Sequence, residues 1–188
     1  MEFDEIISKR RSARSFKKLD VTALQINKIL QSASTAPSAK NRQPWKFYIL
    51  NEAQKKHVMD MLIEWEKQNS GKRTSVKGTA EQIKQANKMI MIYSDDYKSK
   101  IKRTYYKKPD YISIGCAIEN MSLEAVNLGL GSCILCDTLY IENEINGYLG
   151  IKNHELICGF ILGIPIYDYP PKIKKSLNAL LLNNIQNR

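Results

Sequence analysis

Four short blocks of this 188-residue chain carry side chains able to do chemistry. The first is Arg10-Arg11-Ser12-Ala13-Arg14. Its three guanidinium groups offer planar forks of donors suited to phosphate oxygens and carbonyls, and Ser12 adds a hydroxyl. A phosphorylated cofactor would suit this cluster, although a solvated basic face would look the same. The second block runs from Ala36 to Phe47, as Ala-Pro-Ser-Ala-Lys-Asn-Arg-Gln-Pro-Trp-Lys-Phe. Two prolines bracket a small polar loop that enters a strand. Ser38, Asn41 and Gln43 carry the donors and acceptors needed to read the polar edge of a planar ring system. Trp45, where the strand begins, belongs with the core. The third block spans Gly115 to Leu135, with Asn120 and then Leu128-Gly129-Leu130-Gly131-Ser132-Cys133. Its glycines let the backbone turn tightly or approach a ligand closely. They follow a helix and lead into a strand, the reverse of a dinucleotide-binding fingerprint. The fourth block is Gly159 to Pro165, followed by Lys172-Ile173-Lys174-Lys175, where Lys174 or Lys175 could reach a phosphate.

None of these blocks is hydrolytic. The two histidines, His57 and His154, lack an acid and a nucleophile at recognisable spacing, and there is no phosphate-binding loop. Chemistry in this chain is therefore expected to come from a cofactor. Cys133 and Cys136 form a Cys-x-x-Cys pair, which invites a zinc or thiol-redox reading. A zinc site needs about two further ligands, which the sequence does not offer nearby. We read all four cysteines, with Cys116 and Cys158, as buried thiols and assign no metal site.

The elements that must position these blocks alternate between helices and a few apolar strands. Phe3, Ile6 and Ile7 mark a first helix that runs into the arginine block. Thr22 and Gln25 form a capping box for a second helix, with Val21 and Ile26 as its hydrophobic staple; Pro37 ends it. Trp45 to Leu50 reads as a strand, and Asn51 caps a third helix lined by Val58, Met61, Leu62 and Trp65. Gln68 to Thr79 reads as a polar loop, Met89 to Tyr93 as a second strand, and Tyr97 to Asp110 as a basic connection. Ile112 to Leu128 is the longest expected helix, closed by Gly129 in the left-handed conformation. Strands are expected at Cys133 to Cys136 and Leu156 to Ile164, with a short helix at Glu142 to Leu149 between them. The layering is α+β or α/β, in one domain over residues 1–188.

The formal charge of +10 could attract nucleic acid or a phosphate-bearing ligand. Nucleic-acid binding would favour aromatic residues interleaved with basic ones, and only Arg103 to Lys108 has that pattern. No apolar run approaches the roughly 20 residues of a membrane helix, and the first residues do not read as a secretory signal. The expected setting is the cytoplasm, with no membrane and no nucleic-acid partner.

Taken together and in this order, the four blocks resemble the FMN-dependent nitroreductase family: Arg-Arg-Ser-x-Arg, then Ala-Pro-Ser-x-x-Asn-x-Gln-Pro-Trp, then a helix ending in Gly-Leu-Gly-Ser-Cys, then Leu-Gly-x-Pro before a basic stretch. The resemblance covers nearly the whole chain. It implies an α+β fold with a central mixed or antiparallel sheet flanked by helices, and a C-terminal extension that wraps a partner subunit. It implies a homodimer with FMN at the interface. Arg10, Arg11, Ser12 and Arg14 would hold the phosphate and part of the ring, and Pro37, Ser38, Ala39 and Asn41, with Gln43 nearby, would arrive from the partner. Ile134, Leu135 and Cys136 would offer backbone contacts. Lys174 would meet the phosphate where relatives carry arginine; a lysine does so as a point charge, without the fork. Relatives often carry Trp where this chain has Ile134.

The activity so implied is ping-pong hydride transfer from NADH or NADPH to a nitro-aromatic, quinone or similar small acceptor. No catalytic acid or base is required, and none is assigned. Two other functions fit the same residues less closely: a relative with a different flavin reaction, such as dehalogenation, dehydrogenation or flavin destruction, and a basic nucleic-acid-binding protein without flavin.

Overall fold

A reciprocal capping box starts the second helix, as the residue types demand. In the computed structural model, which describes residues 1–69, 75–95, 103–170 and 173–182 (backbone alone at 103–106), Thr22 Oγ1 accepts from Gln25 N at 3.2 Å. Gln25 Oε1 in turn accepts from Thr22 N at 3.0 Å. Helix α1 spans Phe3–Lys9 and α2 spans Ala23–Ser34. Strand β1, Trp45–Ile49, leads to α3, Glu52–Gln68, whose start repeats the device with Asn51 and Gln54. Then come α4 (Val76–Gln85), β2 (Lys88–Asp95), α5 (Arg103–Asn127), β3 (Gly131–Leu135), α6 (Glu142–Leu149) and β4 (His154–Gly163).

The strands form one antiparallel sheet in the order β1-β2-β4-β3. Side chains alternate between its faces. Met89, Met91, Tyr93, Cys133, Leu135 and Ile161 pack on one side with Val58 and Leu62 of α3 and Ile83 of α4. Ile90, Ile92, Phe160 and Leu162 pack on the other with Ile26 and Ile29 of α2 and Ile114, Ala117 and Met121 of α5. Each central strand is buried on both faces. That is why β2 and β4 read as apolar runs rather than as alternating patterns.

Helix α5 ends in a Schellman motif. Gly129 takes φ +73°, its N–H reaches Val126 O at 2.9 Å, and Leu130 N reaches Ala125 O at 2.8 Å. This turn drops the chain directly into β3, and so places the Gly-Leu-Gly-Ser-Cys block at a sheet edge.

Three expectations change. The polar stretch to Thr79 is not a loop throughout, because α4 begins at Val76; Val76, Thr79, Ala80 and Ile83 recur at helical spacing and are buried. Helix α5 starts nine residues earlier than the expected Ile112 and runs through Pro109. The proline lacks the N–H that would bond four residues back. Ser113 Oγ donates to the Pro109 carbonyl at 2.7 Å, and this pair stays in the helix. Strand β3 is Gly131–Leu135, so Cys136 lies in the tight turn after it, and its side chain is exposed rather than buried. Thr138 shapes that turn: its hydroxyl donates to Leu135 O at 2.9 Å and accepts from Gly159 N at 3.1 Å.

Candidate functional site: a basic cavity at the sheet edge

Residues 12–17 lie along the open side of β3 and the end of β4. Ser12 bridges Ser132 in parallel, with Ala13 N donating to Ser132 O at 2.9 Å, and Phe16 bridges Pro165. The approach is close because Gly131 is a glycine: a Cβ there would stand 2.5 Å from that of Ala13. The third block therefore permits the first to dock.

This docking builds a cavity of about 380 Å³ lined by Ile7, Ser8, Arg10, Arg11, Ser12 and Lys174. Four of the residues singled out from sequence, from opposite ends of the chain, thus meet in one place. Arg11 is held by its own surroundings, Nη1 donating to Ser8 O and Arg10 O at 2.7 Å each and Nε to Pro170 O at 3.1 Å. Arg10 Nε stands 3.6 Å from Glu119 of α5. Arg14 is exposed and outside the cavity lining, its Nη1 reaching Ser12 O at 3.4 Å. Two guanidinium groups, an ammonium and a hydroxyl form a donor set that fits a phosphate dianion.

Two residues on from Ser132, which bridges Ser12 of the cavity lining, Ile134 is 44% exposed, unusual for a β3 residue whose neighbours are buried. Residues two apart on a strand present their backbone groups to the same side. The carbonyl of Ser132 faces the open edge, since it accepts from Ala13, and the N–H and C=O of Ile134 face that edge too. Leu135 differs: its side chain is in the core and its carbonyl is taken by Thr138. Of the two such positions on β3, Ile134 and Leu135, Ile134 is the one aimed outward.

The Pro37–Gln43 block lies elsewhere. It feeds β1, the opposite edge of the sheet from β3. Three strand spacings of about 4.8 Å separate the two edges by roughly 14 Å. One chain does not bring Ser38, Asn41 and Gln43 to the arginines. The loop is nevertheless built to a shape. Lys40, Asn41 and Gln43 all take positive φ, 56°, 53° and 49°, a region costly for side-chain-bearing residues. Ser38 Oγ accepts from Gln43 N at 3.0 Å, Gln43 Nε2 donates to Asn41 Oδ1 at 3.1 Å, and Ala39 N donates to Ser113 Oγ at 3.3 Å. A nearly buried ion pair, Arg42 with Asp110, ties the loop to α5. Sequence reasoning passed over Asp110 and Ser113, which carry no motif and matter only because α5 passes under the loop.

The cysteine pair is not a matched dithiol: Cys133 is buried on β3 and Cys136 exposed beyond it, Cys116 is half-buried rather than buried, and none of the four forms a disulfide. Burial, with the nearby Cys136 thiol adding, pushes the Cys158 thiol up to about 12. Among the described residues, no three His, Cys, Asp or Glu side chains group closely enough to hold a metal ion. Nor is any helix among them long and apolar enough to cross a membrane.

An antiparallel sheet between two helical layers, with a cationic cavity at one edge, is an α+β architecture of the nitroreductase-like kind. The Nitroreductase family pattern matches residues 7–164, and the chain belongs to the nitroreductase family. Rat iodotyrosine deiodinase 1 is 30% identical over 199 aligned residues, covering 96% of this chain and 69% of the deiodinase. Among solved structures, a BluB-like flavoprotein from Clostridium difficile 630 superposes with a TM-score of 0.81 at 24% identity, over 98% of this chain and 99% of that one. The FMN-dependent nitroreductase of Mycobacterium smegmatis, solved with NADPH, gives 0.73 at 15% identity over 87% of each chain.

Proposed function

We propose that the protein is an FMN-dependent NAD(P)H oxidoreductase that reduces nitro-aromatic, quinone or similar small acceptors. The observation that carries this reading is the meeting of Arg10, Arg11, Ser12 and Lys174 in one cavity, on a segment docked to β3, where Ile134 is exposed. The basic groups hold the phosphate, and the apolar edge and outward backbone of Ile134 lie against the ring. FMN bound there by Arg10, Arg11, Ser12 and Lys174 would supply hydride-transfer chemistry between a reduced nicotinamide and an oxidised acceptor. The chain's own part is to bind, orient and place positive charge where negative charge develops.

The same reading makes the working unit a homodimer, with Ser38, Asn41 and Gln43 completing the site of the other copy. Two features support this. The loop and the arginine block occupy opposite sheet edges, so only a second copy can join them. And α5, whose inner face is core, also exposes Ile112, 68% accessible, on its outer face, while Phe3 and Ile7 of α1 are 65% and 50% accessible. Covering these side chains with a second copy would remove apolar surface from water.

A second reading, reductive dehalogenation on the same flavin, is favoured by the deiodinase relative. A visible absorption spectrum taken anaerobically before and after NADH or NADPH tests the first reading. Flavin bands that bleach with nicotinamide, followed by reoxidation with a nitro-aromatic or a quinone, are expected. Bands that persist with nicotinamide but, once reduced chemically, are reoxidised by an iodinated phenol would move the chain to the second. A colourless protein that ignores added FMN would refute both.

A further inference from the structure

The arginine block is short of strand partners in its middle. Ala13 N is taken by Ser132, Lys17 N by Ile164 O at 2.8 Å, and Ser15 O accepts from Ile166 N at 3.2 Å. Between them, the N–H groups of Arg14 and Ser15 point away from both strands. One side chain answers both. The hydroxyl of Tyr169 accepts from Arg14 N at 2.7 Å and from Ser15 N at 2.9 Å, and lies 3.5 Å from Ser15 O as donor. Its ring packs half-buried against the core, with the ring of Tyr167 4.8 Å away. The next residue, Pro170, supplies the carbonyl that receives Arg11 Nε. Beyond it the chain continues to Lys174, in the same cavity as Arg10 and Arg11.

We propose that Tyr169 is a positioning residue for the anion site. Its hydroxyl stands in for the missing strand, fixes the backbone of the arginine block, and with Pro170 sets the cationic groups from the two ends of the chain against one phosphate. The inference rests on the flavin reading above. The hydroxyl touches no ligand; it acts through Arg11, Ser12 and the backbone of Arg14. The Arg14 N–H lies at the surface and that of Ser15 is part-buried, so removing the hydroxyl frees both donors and lets the segment shift as water or another group takes them.

The test is Tyr169→Phe, which keeps the ring and its packing. Affinity for FMN and for riboflavin, the same ring without the phosphate, is measured by flavin fluorescence on the wild-type and variant proteins. FMN binding should weaken about tenfold, with riboflavin binding changed by less than about twofold. The ratio of the two affinities is internal to one protein, so partial unfolding lowers both values and cancels. Equal losses for both flavins would overturn the proposal, because the hydroxyl would then serve the fold and not the phosphate site. So would an unchanged FMN affinity, or a variant that fails to fold. A wild-type protein that binds neither flavin removes the flavin reading and this inference with it. Wild-type binding with an unaltered ratio in the variant overturns the inference alone.

Discussion

Replacing Asp110 by Asn keeps the shape of the loop anchor and deletes its charge. The Asp110 side chain retains 6% of its surface in water and that of Arg42 14%, so little solvent is at hand to replace the lost charge contact. Breaking a fully buried pair costs about 3–5 kcal/mol; the residual exposure of Arg42 and the amide oxygen still available to accept one bond reduce this to about 2 kcal/mol. The loop it secures holds three residues at positive φ, conformations that persist only while the surroundings enforce them. For a chain of this size, about 2 kcal/mol lowers the melting temperature by roughly 4–8 °C. Thermal melts of Asp110→Asn, Arg42→Met and the double variant close a cycle. Because the asparagine no longer needs a counter-charge, the double variant should be less destabilised than the sum of the singles by about 1–2 kcal/mol. Strictly additive losses, or an Asp110→Asn melt within a degree of wild type, would refute the claim that this ion pair holds the loop.

Other outcomes follow from the same geometry. Arg10→Ala with Lys174→Ala should raise the Kd for FMN by roughly 100-fold or more, two charged contacts at about 1.5–3 kcal/mol each. A near wild-type circular dichroism melt should accompany it; unchanged occupancy would remove the cavity from the flavin site. Glycine to alanine should have opposite signs at two places where the new methyl meets nothing within 4 Å. Gly129→Ala, at φ +73°, should cost about 1 kcal/mol, whereas Gly147→Ala, inside α6, should gain about 0.5–1 kcal/mol; urea midpoints decide both. Cys158 is raised from an ordinary 9.0 to about 12 by burial, with the Cys136 thiol adding, and burial raises the Tyr93 phenol as well. The unfolded chain therefore loses these protons first. The Cys158 contribution is fully present below about pH 9 and declines from there toward pH 12, at up to about 1.4 kcal/mol per pH unit, and that of Tyr93 declines in the same way from its ordinary 10.0 upward. Cys158→Ala should flatten the urea-midpoint curve above pH 9, and a curve parallel to wild type would contradict the assignment.

The local devices were legible because their causes are local. Thr22 with Gln25, Gly129 after Asn127, and the apolar runs of β2 and β4 each declare themselves within a few residues, through backbone groups that need satisfying or surface that needs burying. The start of α4 was hidden because Lys77 and Gly78 interrupt a stripe whose buried members are only four. The first half of α5 was hidden because Pro109 and a basic, tyrosine-rich composition read as a connection, while long-range contacts override both: Asp110 and Ser113 hold Arg42 and Ala39, and Lys107 and Tyr111 hold Glu155 of β4.

The types and order of residues determined by themselves that the chain carries an arginine block suited to phosphate, a polar loop with donors and acceptors suited to a planar ring and no recognisable hydrolytic motif, and that combination resembled one family. Where those parts stand was decided only by the tertiary structure. Lys174 joins Arg10 and Arg11 across more than 160 residues because Gly131 lets the N-terminal segment dock on β3 and Tyr169 ties the C-terminal segment to it. The Ser38 loop, much nearer in sequence, lies at the far edge, since the order β1-β2-β4-β3 puts its strand there. Sequence distance sets which groups the chain owns; strand order, a property of long-range backbone pairing, sets which of them can meet.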